Sequence, residues 1–136
     1  MRLNKEKYFC ETPPYRNRNP LNIRWNAKIH WQGQIGRDEN GFCRFSAFSM
    51  GYRAAMMILR AYHRQDIKRL GTITEHWAIP STTVIDLRNR ELTIQLLLAM
   101  TRKEMHANAA QLHSMRPYAE MGYDLAATQP EYFSSS

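Results

Sequence analysis

Asn19-Pro20-Leu21-Asn22-Ile23-Arg24, Trp31-Gln32-Gly33, Gly41-Phe42-Cys43-Arg44-Phe45-Ser46 and Gly51-Tyr52-Arg53-Ala54-Ala55 follow one another between Asn19 and Ala55. Pro20, Gly33 and Gly41 punctuate this stretch, and Trp25, Trp31, Phe42, Phe45 and Phe48 fall between them. Ile29 to Phe45 reads as a β-hairpin, with Ile29, Trp31 and Ile35 on one arm and Phe42 to Phe45 on the other. The link Arg37-Asp38-Glu39-Asn40-Gly41 ends in Asn-Gly, two residues that tolerate positive φ. Cys43 and Phe45 alternate with Arg44, as in a strand with one buried face. From Ser46 to Gln65, Phe48, Tyr52, Ala55, Met56, Leu59 and Tyr62 recur at steps of three and four, which predicts a helix. Arg53, Arg60 and Arg64 fall off that line and are expected in solvent. Gly51 inside a helix costs up to ~1 kcal/mol relative to Ala, so a close backbone approach, against the hairpin, is expected there.

Outward from this stretch, Met1 to Arg18 is polar around Pro13-Pro14 and reads as an extended arm. Tyr15 and Trp25 interleave with Arg16, Arg18 and Arg24, a pattern that stacks on bases or sugars, or that covers a core edge. Downstream, Thr72-x-x-Glu75 is a capping-box pattern opening a short helix through Trp77 that Pro80 closes. Ser81-Thr82-Thr83 is placed to cap the next turn, through Val84 and Leu87. Glu91 to Ala110 predicts a second long helix with the apolar line Ile94, Leu97, Leu98, Thr101 and Met105, and Glu104 at its edge. Ser114 with Pro117 predicts the start of a last helix. The fold class expected is α+β and mainly α: a helical domain with one small hairpin. The division expected is an arm over residues 1–18, one domain over 19–130 and a loose tail over 131–136.

With 136 residues and 43% hydrophobic content, the chain has the size and composition of one globular domain. Its N-terminus is basic without an apolar run, so no secretory signal is expected, and no stretch suits a membrane span. Cys10 and Cys43 are too few for a disulfide framework. The five histidines form no metal-binding spacing, so neither metal nor cofactor is expected. Charge is uneven: residues 1–70 hold 14 basic and 5 acidic residues, whereas residues 71–136 hold 5 and 7. A basic half favours a polyanion such as nucleic acid, an anionic wall polymer or a membrane surface, or is a solvated basic face.

Taken together, Asn19-Pro20-Leu21-Asn22-Ile23-Arg24, Trp31-x-Gly33, Phe42-x-x-Phe45, Gly51-x-Arg53-Ala54 and Trp77-Ala78-x-Pro80 resemble a family of small bacteriophage proteins. These read N-P-x-N-I-R, W-x-G, F-x-x-F, G-x-R-A and W-A-P-P, and occur as virion-associated or lysis proteins. The resemblance covers roughly residues 17–80. It implies a lysozyme-like fold, circularly permuted so that the catalytic glutamate follows the Asn-Pro segment. It implies a phage-encoded peptidoglycan-binding and peptidoglycan-cleaving protein, acting as a glycosidase or lytic transglycosylase. The sequence departs from the pattern at Ile79, at Thr82-Thr83 where the family often has Glu-Asn, and at Met105-His106 after Glu104.

Glycoside cleavage needs a carboxyl group beside the leaving oxygen. Glu104 is the first candidate, and Glu75 and Glu91 are the alternatives. Trp25, Trp31, Tyr52 and Trp77 are candidates for a saccharide groove, and Asn19, Asn22 and Arg24 for hydrogen bonds to acetamido or carboxyl groups. Core packing and turn capping are the competing roles for these same residues. The expected location is the host cytoplasm, the virion or the host wall. The competing functions are a non-enzymatic phage protein that holds nucleic acid through its basic half, and a module that docks on a virion or host protein.

Overall fold

The computed structural model describes residues 5–63 and 86–128. The expected Thr72 to Pro80 helix, the Ser81 to Thr83 cap and Glu75 lie outside them, as do Trp77 and the tail. The described chain is mainly helical with one two-stranded antiparallel sheet. Its elements in order are α1 (Lys5–Glu11), α2 (Pro13–Arg16), β1 (Gln34–Arg37), β2 (Cys43–Phe45), α3 (Phe48–His63), α4 (Arg90–Met105) and α5 (Ala109–Ala127).

The N-terminal segment is helical where an extended arm was expected. Pro13 and Pro14 stand in the first turn of α2, where the missing N–H is unneeded and the fixed φ suits a helix. Thr12 closes α1 by donating its hydroxyl to the Phe9 carbonyl at 2.8 Å. Phe9 is buried and meets the edge of Tyr15, which in turn meets Phe48 at 5.0 Å between centroids. These ring contacts make the segment part of the core.

α3 lies at the centre. Gly51 to Leu59 are all buried, so the helix is covered on every side rather than on one stripe. Arg53, expected in solvent, is buried, and that burial pushes its guanidinium pKa down, with Arg60 adding to the shift. Arg60 is half-buried and donates to the Ala126 carbonyl at 3.0 Å, near the C-terminal end of α5. Arg64 lies outside the described residues.

Two glycines let neighbouring chain approach α3. A Cβ at Gly51 would stand 2.6 Å from the Arg18 carbonyl oxygen and 2.8 Å from the Pro20 ring. The close approach at Gly51 is therefore to the Asn-Pro segment, where the hairpin was expected. A Cβ at Gly122 of α5 would collide with Tyr52 Cβ and stand 2.8 Å from Arg53 N. That contact seats α5 across α3, the most extensive helix pairing described.

The hairpin is shorter than expected. Gln34 pairs with Phe45, Gly36 with Arg44 and Arg37 with Cys43, and a bulge between Gln34 and Gly36 turns Ile35 outward. Cys43 and Phe45 are buried and Arg44 is exposed, as the alternation predicts. Asp38 holds the loop: its Oδ1 accepts from the Asn40 and Phe42 backbone N–H groups, each at 2.9 Å. Gly41 takes the positive φ of 87°, whereas Asn40 does not.

α4 begins at an Asn89 cap and ends at His106 in the left-handed region, short of the expected Ala110. Asn108 and Gln111 then form a reciprocal capping box that opens α5. The last helix therefore starts at Ala109, and Pro117, expected near its start, lies inside it.

Candidate functional site

The Asn-Pro segment is held from within by Asn19. Its Oδ1 accepts the Ile23 N–H at 2.9 Å, and its amide donates to the Ile23 and Cys43 carbonyls at 2.9 and 3.0 Å. With no exposed surface and both amide protons used, Asn19 folds the turn and has nothing left to offer a glycan. Leu21 and Ile23 on either side of Asn22 are fully buried. Asn22 between them is half-buried, at φ 53°.

Directly facing it is Glu104. The Asn22 Nδ2 donates to Glu104 Oε1 at 3.1 Å. What sets this meeting is the rotation of α4. Thr101, one turn before Glu104, is buried, and its hydroxyl donates to the Leu97 carbonyl at 2.7 Å. With that proton spent, the Tyr52 hydroxyl is the donor in the 2.7 Å bond between Tyr52 and Thr101. Residues three apart share a helix face, so the bond from α3 also aims Glu104 at the segment. Tyr52 thus belongs to the core rather than to a groove wall, and burial pushes its phenol pKa up.

Asn22 bears a further mark. Its Oδ1 is buried and has no hydrogen-bond partner among the described residues. An unsatisfied buried acceptor costs about 1–3 kcal/mol. Left-handed backbone and an open acceptor on one residue are the kind of local penalty that collects at functional sites.

The other expected ligand residues divide. Trp31 is buried under the hairpin, its N–H and carbonyl tied to Gln34, so it is core. Arg24 is half-buried, with its guanidinium 5.1 Å from the Phe42 ring centre. Trp25 is 39% exposed and carries the Arg37 guanidinium 4.7 Å above its ring. Tyr15 and Arg18 of the expected stacking arm pack on each other and on Phe48 instead. The structure therefore brings Glu104 and Asn22 together, with Arg24 two residues along, and leaves Asn19, Trp31 and Tyr52 as support.

Five other carboxylates have partners of their own. Asp38 is bound into its loop and to Asn17. Asp86 meets Arg88, Glu91 meets Arg116, Glu120 meets Arg90 and Arg116, and Asp124 meets Arg90. Among the described residues no three His, Cys, Asp or Glu side chains gather as a metal site. None of their helices is long and apolar enough to cross a membrane.

No family model, curated protein or solved structure matches this chain.

Proposed function

We propose that the chain is a phage-encoded, lysozyme-like protein that binds peptidoglycan and cleaves its glycan strand, with Glu104 as the proton donor. The observation that carries this reading is the 3.1 Å contact between Asn22 and Glu104. It joins a carboxyl group near the end of a long helix to the Asn-Pro segment beside the hairpin.

A single carboxyl group suffices for the transglycosylase form of the reaction. Protonated Glu104 gives its proton to the glycosidic oxygen, and the C1–O bond breaks. The C6 hydroxyl of the same muramoyl residue then closes on C1, and the Glu104 carboxylate takes the proton that this hydroxyl loses. The Asn22 amide, by donating to Glu104 Oε1, orients that carboxyl group for the transfer. Trp25, exposed beneath Arg37, offers a ring for an apolar sugar face. The uneven charge of the chain suits an anionic wall.

The test is clearing of purified peptidoglycan, with product ends identified by mass spectrometry. Wild type is expected to clear the substrate and leave 1,6-anhydromuramoyl ends. Glu104→Gln is expected to stay folded, keep binding and lose cleavage. Absence of clearing by folded wild type overturns the enzymatic reading. Reducing ends in place of anhydro ends would replace the C6 hydroxyl by water and require a second group to activate it.

A further inference from the structure

A recess of about 200 Å³ lies between α2 and the hairpin loop. Three arginines from three elements line it: Arg16 at the end of α2, Arg37 at the end of β1 and Arg44 in the middle of β2. All three are exposed. Among the described residues, no hydrogen bond or ion pair engages any of their guanidinium groups. The contrast with other arginines is informative. Arg18 donates to the Tyr15 carbonyl, Arg60 to that of Ala126, and Arg88, Arg90 and Arg116 pair with carboxylates.

Asp38 shares the recess but is already engaged. Its Oδ1 accepts two backbone N–H groups of the loop, and its Oδ2 accepts the Asn17 amide at 2.8 Å. Its work is to hold the loop that carries Arg37 and Arg44 on its two sides. Glu39 also lines the recess, and the arginines outnumber the two acids by one. Arg37 lies over the Trp25 ring, which limits its freedom before any ligand arrives.

We infer that this recess binds a phosphate group. Three guanidinium forks lining one recess from separate elements suit an anion with several acceptor oxygens, whereas a planar carboxylate is served by one fork. The inference does not rest on Glu104 or on glycan cleavage. Two sources supply the same chemistry: a terminal phosphate monoester and a phosphodiester within a polymer backbone.

The experiment is a titration of the full chain, at low ionic strength, with inorganic phosphate, phenyl phosphate and dimethyl phosphate, followed by amide and arginine side-chain NMR shifts. Inorganic phosphate and phenyl phosphate are expected to move the signals of Asn17, residues 38–40 and Arg44, and the Nε–H groups of Arg16, Arg37 and Arg44. Loss of one charge-assisted contact in Arg37→Gln is expected to weaken binding about tenfold. The triple variant Arg16→Gln, Arg37→Gln, Arg44→Gln is expected to abolish it with amide dispersion retained. Removing charge elsewhere, in Arg102→Gln with Lys103→Gln, is expected to leave it unchanged. Equal binding of dimethyl phosphate assigns the site to a polymer phosphodiester, and its failure to bind assigns it to a terminal phosphate. Shifts scattered over the whole basic surface, a triple variant that binds like wild type, or no saturable binding would overturn the inference.

Discussion

Asn22 and Glu104 stand 82 positions apart in the chain, and their contact can be weighed by a double-mutant cycle in urea unfolding. Asn22→Ala removes the amide donor and also places alanine at φ 53°. The backbone part costs about 1 kcal/mol, since alanine enters the left-handed region less readily than asparagine. The lost bond to a half-buried carboxyl group costs about 1 kcal/mol more. Removal of the buried Oδ1, unpaired among the described residues, returns about 1 kcal/mol or more, a term that the cycle cancels. Glu104→Ala loses the same bond, offset by a few tenths of a kcal/mol through better helix propensity. The backbone term is present in both arms that carry Asn22→Ala, so the cycle cancels it. The expected coupling is about 1 kcal/mol, above the ~0.3–0.5 kcal/mol within which distant sites add. Asn22→Gly provides the control. Glycine adopts φ 53° freely, so this variant is expected to be roughly 1 kcal/mol more stable than Asn22→Ala. Coupling indistinguishable from zero, with both single variants folded, would mean that α4 does not present Glu104 to the Asn-Pro segment. The proposed site would fall with it.

Other expectations follow from the packing and the titrating groups. Gly122→Ala is expected to destabilise by about 2 kcal/mol, because α5 must retreat from Tyr52 and from the backbone of α3. An unchanged midpoint in urea would place α5 elsewhere. Cys43 is buried, which pushes its thiol up to about 12, while Cys10 is exposed. A thiol reagent is therefore expected to label one cysteine in the native protein and two in urea. Because the folded thiol ionises later than the unfolded one, its share of stability is complete below about pH 9 and is lost as pH rises toward 12. A wild-type advantage over Cys43→Ala that grows with alkali would contradict this. Burial alone would raise the Asp38 carboxyl, but the Phe42 N–H, the Asn17 amide and the Asn40 N–H outweigh it and hold it below its ordinary value. Asp38→Asn is expected to cost about 1 kcal/mol at neutral pH, since its new amide faces that of Asn17. The deficit should vanish in acid, as pH falls below about 4 through the lowered value, and a deficit independent of pH would refute the loop role.

Local chemistry was enough to read several elements from the chain alone. The apolar steps of three and four marked α3, the Cys43-Arg44-Phe45 alternation marked β2, and the line from Ile94 to Met105 marked α4. Gly51 announced a close approach because a glycine inside a helix is costly without one. The rest depended on which partner each residue met. Pro13-Pro14 breaks a helix in mid-run and starts one in its first turn, and only the packing of Phe9, Tyr15 and Phe48 decides between them. Arg53 falls off the apolar line on paper and reads as solvated, yet a helix surrounded on all sides has no solvent face to give it. Asn19, Asn22, Trp31 and Tyr52 looked alike as polar or aromatic ligand candidates. Burial consumed three of them and left Asn22 turned toward Glu104. Periodicity is set by neighbours three or four residues away, so sequence carries it. The meeting of Asn22 with Glu104, and of Arg16 with Arg37 and Arg44, is set by how whole elements cross, and only the assembled chain has that information.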